Sequence, residues 1–506
     1  MAGVQADGSA VVTATMIDEE FLDERLGAVE QARTWSPRVL SKLEALLRSE
    51  DHTLLWRINP LAFAAERGIN EREAVDLFLH AAKAGLLTIQ WHLLCPGCGM
   101  AVENFDSLRS VHREFYCSLC MQPTTAQLDD FIQITFTVAP RVRTIRYHHP
   151  QSLDVTDYVM HYRLSREARW GDGGPAIRDL ITSSLLAASW LEPGQRRAFT
   201  ASVVAGIVNS AELTAHLACE LEVEGAALAD GATQQLLLTV SDDALRPDRA
   251  SVSPGPLQLE LHNASARRVA VLVGNKPLEM LKEHADAAFS PFLRGSTLLT
   301  NQTFRQLFRG EVIQGAEGIG IRDVTIVFTD LKSSTQLYER IGDLKAFELV
   351  RRHFDGVARA IAQNGGALVK TIGDAVMAAF TRASDAIAAA IAMQDEIDRF
   401  NAENGGREIV LKIGMHRGAS IAVTLNESLD YFGQTVNVAA RVQGLAGADE
   451  ILLTEDVFQA TGVQPLLVGT TITPEDARLR GIEKQVRVHR VVRGRPQPGT
   501  GAGASV

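Results

Sequence analysis

The sequence predicts an α+β chain assembled from several small domains, and three observations predict it. A length of 506 residues gives room for about two to four domains. Two Cys-x-x-Cys pairs and a series of short strand-and-turn runs fill the middle of the chain. The last third alternates between the period of a strand and that of a helix in the order β-α-β-β-α-β.

Composition excludes several classes. The chain is 46% hydrophobic and 22% charged with a net charge of −11, an ordinary balance for a soluble globular protein. That acidity argues against nucleic-acid binding by the whole chain. No apolar run approaches the roughly 18 residues needed to span a bilayer. The N-terminus is acidic after Ala14 and lacks the basic-then-apolar pattern of a secretory signal, so a cytoplasmic location is expected.

Taken in order, residues 1–16 and 494–506 are small and polar and are expected to be disordered tails. Residues 17–91 form a helical region. Apolar residues recur at helical spacing in Phe21, Leu22, Leu26 and Val29, in Val39, Leu43, Leu46 and Leu47, and in Ala74, Val75, Leu77 and Phe78. Gly85 then stops a helix before a strand beginning Leu86-Leu87-Thr88-Ile89. Helix, helix and strand give a winged-helix-like pattern, but the helices lack a basic stripe, which favours a docking role.

Residues 92–145 are expected to be a zinc ribbon. Cys95-Pro96-Gly97-Cys98 is followed after eighteen residues by Cys117-Ser118-Leu119-Cys120. Each knuckle presents two thiolates, and four close a tetrahedral site around one structural zinc ion with no position left for water. His92 and His112 read as surface residues, and the unpaired Cys219 as a buried apolar one. Asp129–Thr144 alternates like a strand.

Residues 146–276 read as a β-rich, β-sandwich-like regulatory domain. Ala176–Trp190 is expected to be one amphipathic helix. Arg197–Val208, Leu217–Val223, Gln234–Val240, Leu257–His262 and Val269–Val273 are strands. Residues 277–320, with Leu278–Val312 at helical spacing, are expected to be a helical linker.

Residues 321–493 carry the regular pattern. Asp323–Leu331 is a strand, and Ser333–Asn364 is helical with a break at Gly342-Asp343. Ala367–Ile372 and Ala375–Phe380 are strands joined at Gly373-Asp374. Ser384–Phe400 is a helix capped by Ser384-Asp385. Ile409–Met415 and Ala419–Leu425 are strands, and Gln434–Leu445 is a helix. This order is that of a ferredoxin-like fold with extensions. Asp330 and Asp374 end apolar strands, and such a carboxylate pair suits a hard metal ion. Without further context both read as ordinary turn aspartates, the better reading for Gly373-Asp374 taken alone, and Lys370 as a strand lysine facing solvent.

Four motifs occur in order: Phe328-x-Asp330; Lys370-x-x-Gly373-Asp374; Gly414-x-His416-x-Gly418; and Asp430-x-x-Gly433-x-x-Val436-Asn437-x-Ala439-x-Arg441. Together they resemble the catalytic domain of class III nucleotidyl cyclases, the adenylate and guanylate cyclases. The resemblance covers the last third of the chain, from about Asp323 to Val492.

The resemblance implies a homodimer that converts ATP to 3′,5′-cyclic AMP and pyrophosphate with two Mg²⁺ or Mn²⁺ ions per site. Asp330, Asp374 and the backbone of Leu331 would hold the metals. Lys370 and Asp430 would read the base. A donor and an acceptor complement the N1 and N6 edge of adenine, whereas guanylate cyclases typically carry Glu with Cys or a small residue there. Asn437 would orient the ribose, and Arg441 would stabilise charge on the α-phosphate. Arg480 falls where the family usually has a lysine on the β,γ-phosphates. Ser333, Ser334 and Thr335 would hold phosphate through backbone amides, although Ser333 stands where the family usually has glycine and Ser334 where it has an aromatic. The alternatives are a guanylate or mixed-specificity cyclase, a catalytically silent cyclase-like scaffold, or a nucleic-acid-binding zinc protein. The ligand or protein that regulates the N-terminal region is not named by any motif.

Overall fold

The computed structural model describes residues 16–105, 114–117, 120, 122–125, 131–277, 286–310, 318–332, 339–404, 409–425, 428–482 and 484–493. These residues fall into two compact units, the first up to Leu293 and the second from Arg294 onward. Among them, no helix is long and apolar enough to cross a membrane.

The first unit opens with four helices, α1 (Glu19–Ala32), α2 (Val39–Leu47), α3 (Pro60–Arg67) and α4 (Glu71–Lys83). Asn70 caps α4 by accepting from the amides of Arg72 and Glu73, which satisfies two of the orphan donors of its first turn. Its buried face is Ala74, Val75, Leu77, Phe78 and Ala81, as the spacing requires. Strands β1 (Leu87–Leu94), β2 (Ala101–Phe105), β3 (Glu114–Cys117), β4 (Gln122–Thr125) and β5 (Ile132–Val138) follow. β1 pairs antiparallel with both β2 and β5, and β3 pairs with β4. β5 is buried along its whole length, so its alternation of apolar and polar residues does not mark an exposed face.

Helix α5 (Ile177–Ser184) gives way directly to strand β6 (Leu185–Leu191). The single helix expected over Ala176–Trp190 is therefore half strand. Ala187, Ser189 and Leu191 alternate inward and pair with a later strand, and that long-range pairing overrides local helical spacing. Strands β7 (Arg196–Val203), β8 (Gly206–Glu212), β9 (Leu217–Val223), β10 (Gln234–Val240), β11 (Leu245–Pro247), β12 (Ser251–Val252), β13 (Gly255–Asn263) and β14 (Val269–Pro277) complete two sheets. One sheet has the order β12-β9-β8-β14-β6 and the other β11-β10-β13-β7. Both contribute to one core, including Val208, Leu221, Leu238, Leu259 and Val271, which is sandwich packing. The expected single strand Arg197–Val208 is two strands turning at Gly206. Its φ is +150°, and a Cβ there would lie 2.0 Å from the Lys276 carbonyl oxygen, so no other residue fits the turn without backbone movement.

The second unit begins with two short helices, α6 (Gly295–Leu299) and α7 (Gln302–Leu307). The continuous helix expected over Leu278–Val312 is not formed: Ala287–Phe289 and Leu293–Arg294 are short strands, the two short helices follow, and residues 278–285 and 311–312 lie outside the described residues. Asn301 interrupts them because its side chain caps α7 by accepting from the Phe304 amide at 2.8 Å.

Then come β15 (Ile319–Leu331), α8 (Asp343–Gln363), β16 (Ala367–Ile372), β17 (Ala375–Phe380), α9 (Ala383–Glu403), β18 (Leu411–Leu425), β19 (Ser428–Phe432), α10 (Gln434–Leu445), β20 (Glu450–Thr454), β21 (Thr470–Ala477) and β22 (Val486–Arg493). They form an eight-stranded sheet of order β16-β17-β15-β18-β20-β22-β21, with β19 paired to β18. The first four of these strands, with α8 and α9, are the ferredoxin-like βαββαβ unit. α9 buries Ala386, Ile387, Ala390, Met393 and Ile397 against the sheet, and each large side chain so buried contributes about 1.5–3 kcal/mol.

Two local expectations change here. Ser384 and Asp385 do not cap α9, which starts at Ala383 after the N-cap residue Arg382 and has no side-chain cap; Asp385 instead pairs with Arg382 at 2.9 Å. The two strands expected at Ile409–Met415 and Ala419–Leu425 are one strand, β18. It runs through the Gly-x-His-x-Gly motif because α10 packs directly on it. A Cβ at Gly414 would lie 2.2 Å from the Gln443 backbone, and one at Gly418 2.9 Å from Thr435 Oγ1. These glycines permit close helix–strand approach without breaking the strand.

Candidate active site

Asp330 stands near the end of β15 and Asp374 in the tight turn between β16 and β17. The β15–β17 register pairs Thr329 with Val376, which brings the two carboxylates to the same end of neighbouring strands. Their environments differ. Asp330 lies directly across from Lys412 on β18, whose Nζ is 2.6 Å from its Oδ2. Asp374 Oδ2 is buried and accepts no hydrogen bond. A buried carboxylate oxygen without a donor is costly, and a hard cation relieves it. The donor set of two carboxylates and the Leu331 carbonyl fits a divalent ion that prefers oxygen. Lys412 was not singled out from the sequence; only the cross-strand register reveals it. Ser333, Ser334 and Thr335 lie outside the described residues.

Lys370 on β16 and Asp430 on β19 meet, with Nζ 2.6 Å from Oδ2. They are 60 positions apart in the chain, so the fold makes this pair. Asp430 is 7% exposed, and its other oxygen accepts from the Tyr431 amide at 2.8 Å. Sequence reasoning missed two neighbours on α7. Arg305 is half-buried and donates to the carbonyl oxygens of Leu429 and Leu299. Burial lowers its pKa, while Tyr431 and Asp430 act in the opposite direction. Gln302 Oε1 accepts from the Leu368 amide at 2.9 Å. One short helix thus ties down both strands that carry the Lys370–Asp430 pair.

Asn437 and Arg441 share the outer face of α10, whose inner face is Val438, Ala439 and Val442. The Arg441 guanidinium lies against the Leu479-Arg480-Gly481 turn. A Cβ on Gly481, at φ +73°, would stand 3.5 Å from Arg441 Nη2. Arg480 is exposed beside it.

In the first unit, Cys95 Sγ is 3.8 Å from Cys120 Sγ, and Cys98 Sγ is 3.6 Å from Cys117 Sγ. All four sulfurs lie within 4.8 Å of one another. Four thiolates at about 2.3 Å from one zinc ion stand about 3.8 Å apart, so the cluster has the dimensions of a tetrahedral site and not those of disulfides. His92 is not at the surface as expected. It is 1% exposed, and its ring nitrogens are 2.7 Å from both Asn104 Oδ1 and Thr135 Oγ1. Its polar neighbours lie on other strands, which local sequence does not reveal. His112 lies outside the described residues.

Residues 319–485 match the adenylate and guanylate cyclase catalytic domain, and the second unit is a class III cyclase catalytic domain. The chain as a whole belongs to a family of unknown function, DUF5939, which matches residues 23–306. An adenylate cyclase of Anabaena cylindrica is 33% identical over 195 residues, covering 35% of this chain and 37% of that protein. A pH-sensitive adenylate cyclase of Mycobacterium tuberculosis is 32% identical over 196 residues, covering 38% of this chain and 47% of that protein. The match therefore spans less than half the length of either relative. The solved adenylyl cyclase CyaB from P. aeruginosa is 19% identical, with 35% of this chain and 97% of that chain covered and a TM-score of 0.31.

Proposed function

We propose that the chain is an adenylate cyclase. The ribose 3′-oxygen of ATP attacks its own α-phosphorus, the bond to the β,γ-diphosphate oxygen breaks, and cyclic AMP and pyrophosphate leave. The observation that carries this reading is the Lys370–Asp430 pair. Lys370 donates to adenine N1 and Asp430 accepts from the N6 amino group, while their mutual attraction holds both in register. Asn437 orients the ribose. Arg441, permanently charged and forked, stabilises the negative charge that builds on the α-phosphate. Arg480 supplies a further charge toward the terminal phosphates, and the amides of Ser333, Ser334 and Thr335 add donors there.

Asp330, Asp374 and the Leu331 carbonyl are the groups that would hold two magnesium or manganese ions. When bound, such ions lower the pKa of the attacking hydroxyl and screen the triphosphate. In the first unit, Cys95, Cys98, Cys117 and Cys120 would hold one structural zinc, closing a small ribbon that has little apolar core of its own.

The working form is a homodimer, with the metal carboxylates of one protomer facing Lys370, Asp430, Asn437 and Arg441 of its partner. Support comes from Ile372 and Phe432, 51% and 64% exposed, which flank the site residues as an apolar surface. Asp374→Ala and Lys370→Ala proteins should each be inactive with ATP. Mixed, they should recover to about a quarter of wild-type turnover, because half the dimers are hybrids with one intact site. No recovery on mixing removes the shared site. Wild-type turnover of GTP in preference to ATP removes the adenine reading.

A further inference from the structure

The first unit contains a second concentration of charge, next to the cysteine cluster, whose core includes Val159. Burial first, and then the charges of Arg166, Arg178, Arg146 and Arg57, push the His161 pKa down to about 4. Arg163 belongs to the same group, since it and Arg166 both disfavour the charge on Arg57. Arg57 and Arg163 are each 7% exposed. Arg57 Nε, Arg163 Nε, Arg166 Nη2, Arg178 Nε and His161 Nδ1 are buried without hydrogen-bond partners.

Negative charge nearby is scarce. Asp157 is 3.2 Å from Arg146 and 3.8 Å from His161. Glu167 and Asp51 act on Arg166, but the Glu167 carboxylate already accepts from Asn59 at 3.0 Å, Gln133 at 2.6 Å and Ser165 at 3.1 Å. Among the described residues no carboxylate forms an ion pair with Arg57, Arg163, Arg166 or Arg178. The surrounding walls are aromatic. Arg57 lies 5.7 Å from the Trp56 ring centroid and 5.5 Å from that of Tyr162. Tyr147 lies 4.6 Å from His161, ring to ring.

The backbone is unusual at the same place. Val159–Arg163 is a π-helical turn, a form that recurs at functional sites. Arg57 has φ +47°, a conformation that costs a non-glycine residue energy and persists where its surroundings enforce it. Arg57 Nη2 donates to Asn104 Oδ1 at 2.8 Å, Arg163 Nη2 to His216 Nδ1 at 3.2 Å and Arg178 Nη2 to the Met160 carbonyl oxygen at 3.4 Å, which are neutral partners. Strain, a π turn and guanidiniums that keep buried, partnerless nitrogens and no counter-charge thus converge on one region.

Buried like charges repel, and each unpaired cation carries a desolvation penalty. Water can accept from the free N–H groups but cannot neutralise them. A doubly charged oxyanion does both, and guanidinium forks match its geometry. We infer that the cluster of Arg57, Arg163, Arg166 and Arg178 is a binding site for the phosphate group of a small molecule. The site would make the first unit a receptor for that molecule.

The test is calorimetric titration of the full-length protein with inorganic phosphate and, separately, with AMP, at constant ionic strength held with chloride. One phosphate site is expected in the wild type. Arg166→Gln should weaken it by about tenfold, the equivalent of one charge-assisted hydrogen bond. Tighter binding of AMP than of phosphate, lost in the same variant, assigns the site to a phosphate monoester. Equal or weaker AMP binding assigns it to free phosphate. Affinities unchanged in Arg166→Gln, or no binding of either probe to the wild type, overturn the proposal. Should Arg166→Gln fail to fold, Arg178→Gln replaces it with the same expected loss.

Discussion

In the second unit, the charges that matter stand at strand ends and on an outer helix face. Asp430 meets Lys370, Asp330 meets Lys412, and Asp374 has an oxygen left over. In the first unit, the charges lie inside. Arginines crowd around His161, and four thiols close on one point. The first arrangement leaves the groups open to a substrate. The second forces them to find partners in the interior or to hold something there. The same residue types therefore imply chemistry in one unit and ligand-dependent stability in the other.

The largest expected effect tests the interior side of that contrast. Wild-type protein should carry one zinc per chain by elemental analysis. Cys98→Ser should lose it and destabilise the first unit by on the order of 3 kcal/mol or more. In a calorimetric melt, the transition of the first unit should fall while that of the second stays in place. Zinc-free wild-type protein together with a silent Cys98→Ser would end the zinc assignment and leave the thiols as a packed cluster.

A smaller effect probes the open side. Arg305 touches neither metal carboxylate, but it is bonded to the carbonyl before Asp430. Under the proposed function it is a positioning residue for Lys370 and Asp430, the pair proposed to read the base. Arg305→Met should raise the KM for ATP about fivefold with kcat nearly unchanged, and should narrow the preference for ATP over GTP. Arg305→Lys should restore part of the loss. If kcat and thermal stability fall together while KM holds, α7 serves only as packing.

How far each unit could be read from sequence follows from the same contrast. Periodicity locates the strands and helices of the second unit, but Asp330, Lys370, Asp374, Asp430, Asn437 and Arg441 stand out as a set only through the spaced motifs that resemble the cyclase family. The two cysteine pairs are legible from their spacing. Lys412 and Arg305 were not, because each acquires its role from a partner far along the chain, Asp330 in one case and Leu429 in the other. Leu185–Leu191 reads as helix because its pairing strand begins at Val269, beyond any local window. His92 looked exposed because Asn104 and Thr135 reach it only across β1, β2 and β5. The arginine cluster spans residues 57 to 178 and follows no motif.

The smallest effect concerns that buried histidine. Burial, with the Arg57 charge adding to it, lowers the His92 pKa well below its model-peptide value of 6.5. The folded state therefore keeps the ring neutral where the unfolded chain takes up a proton. Its contribution to stability is complete above about pH 6.5 and is lost as pH falls below that value, with a slope of at most about 1.4 kcal/mol per pH unit. Glutamine has both a donor and an acceptor for Asn104 and Thr135 but does not titrate. Between about pH 7.5 and about pH 5.5, the melting temperature of the first unit should fall less in His92→Gln than in wild type. The difference will be partial, because burial also lowers His148, His161 and His216, and these remain. Equal slopes in the two proteins would mean that His92 keeps its proton on folding, and that its place among the interior charges of the first unit was misjudged.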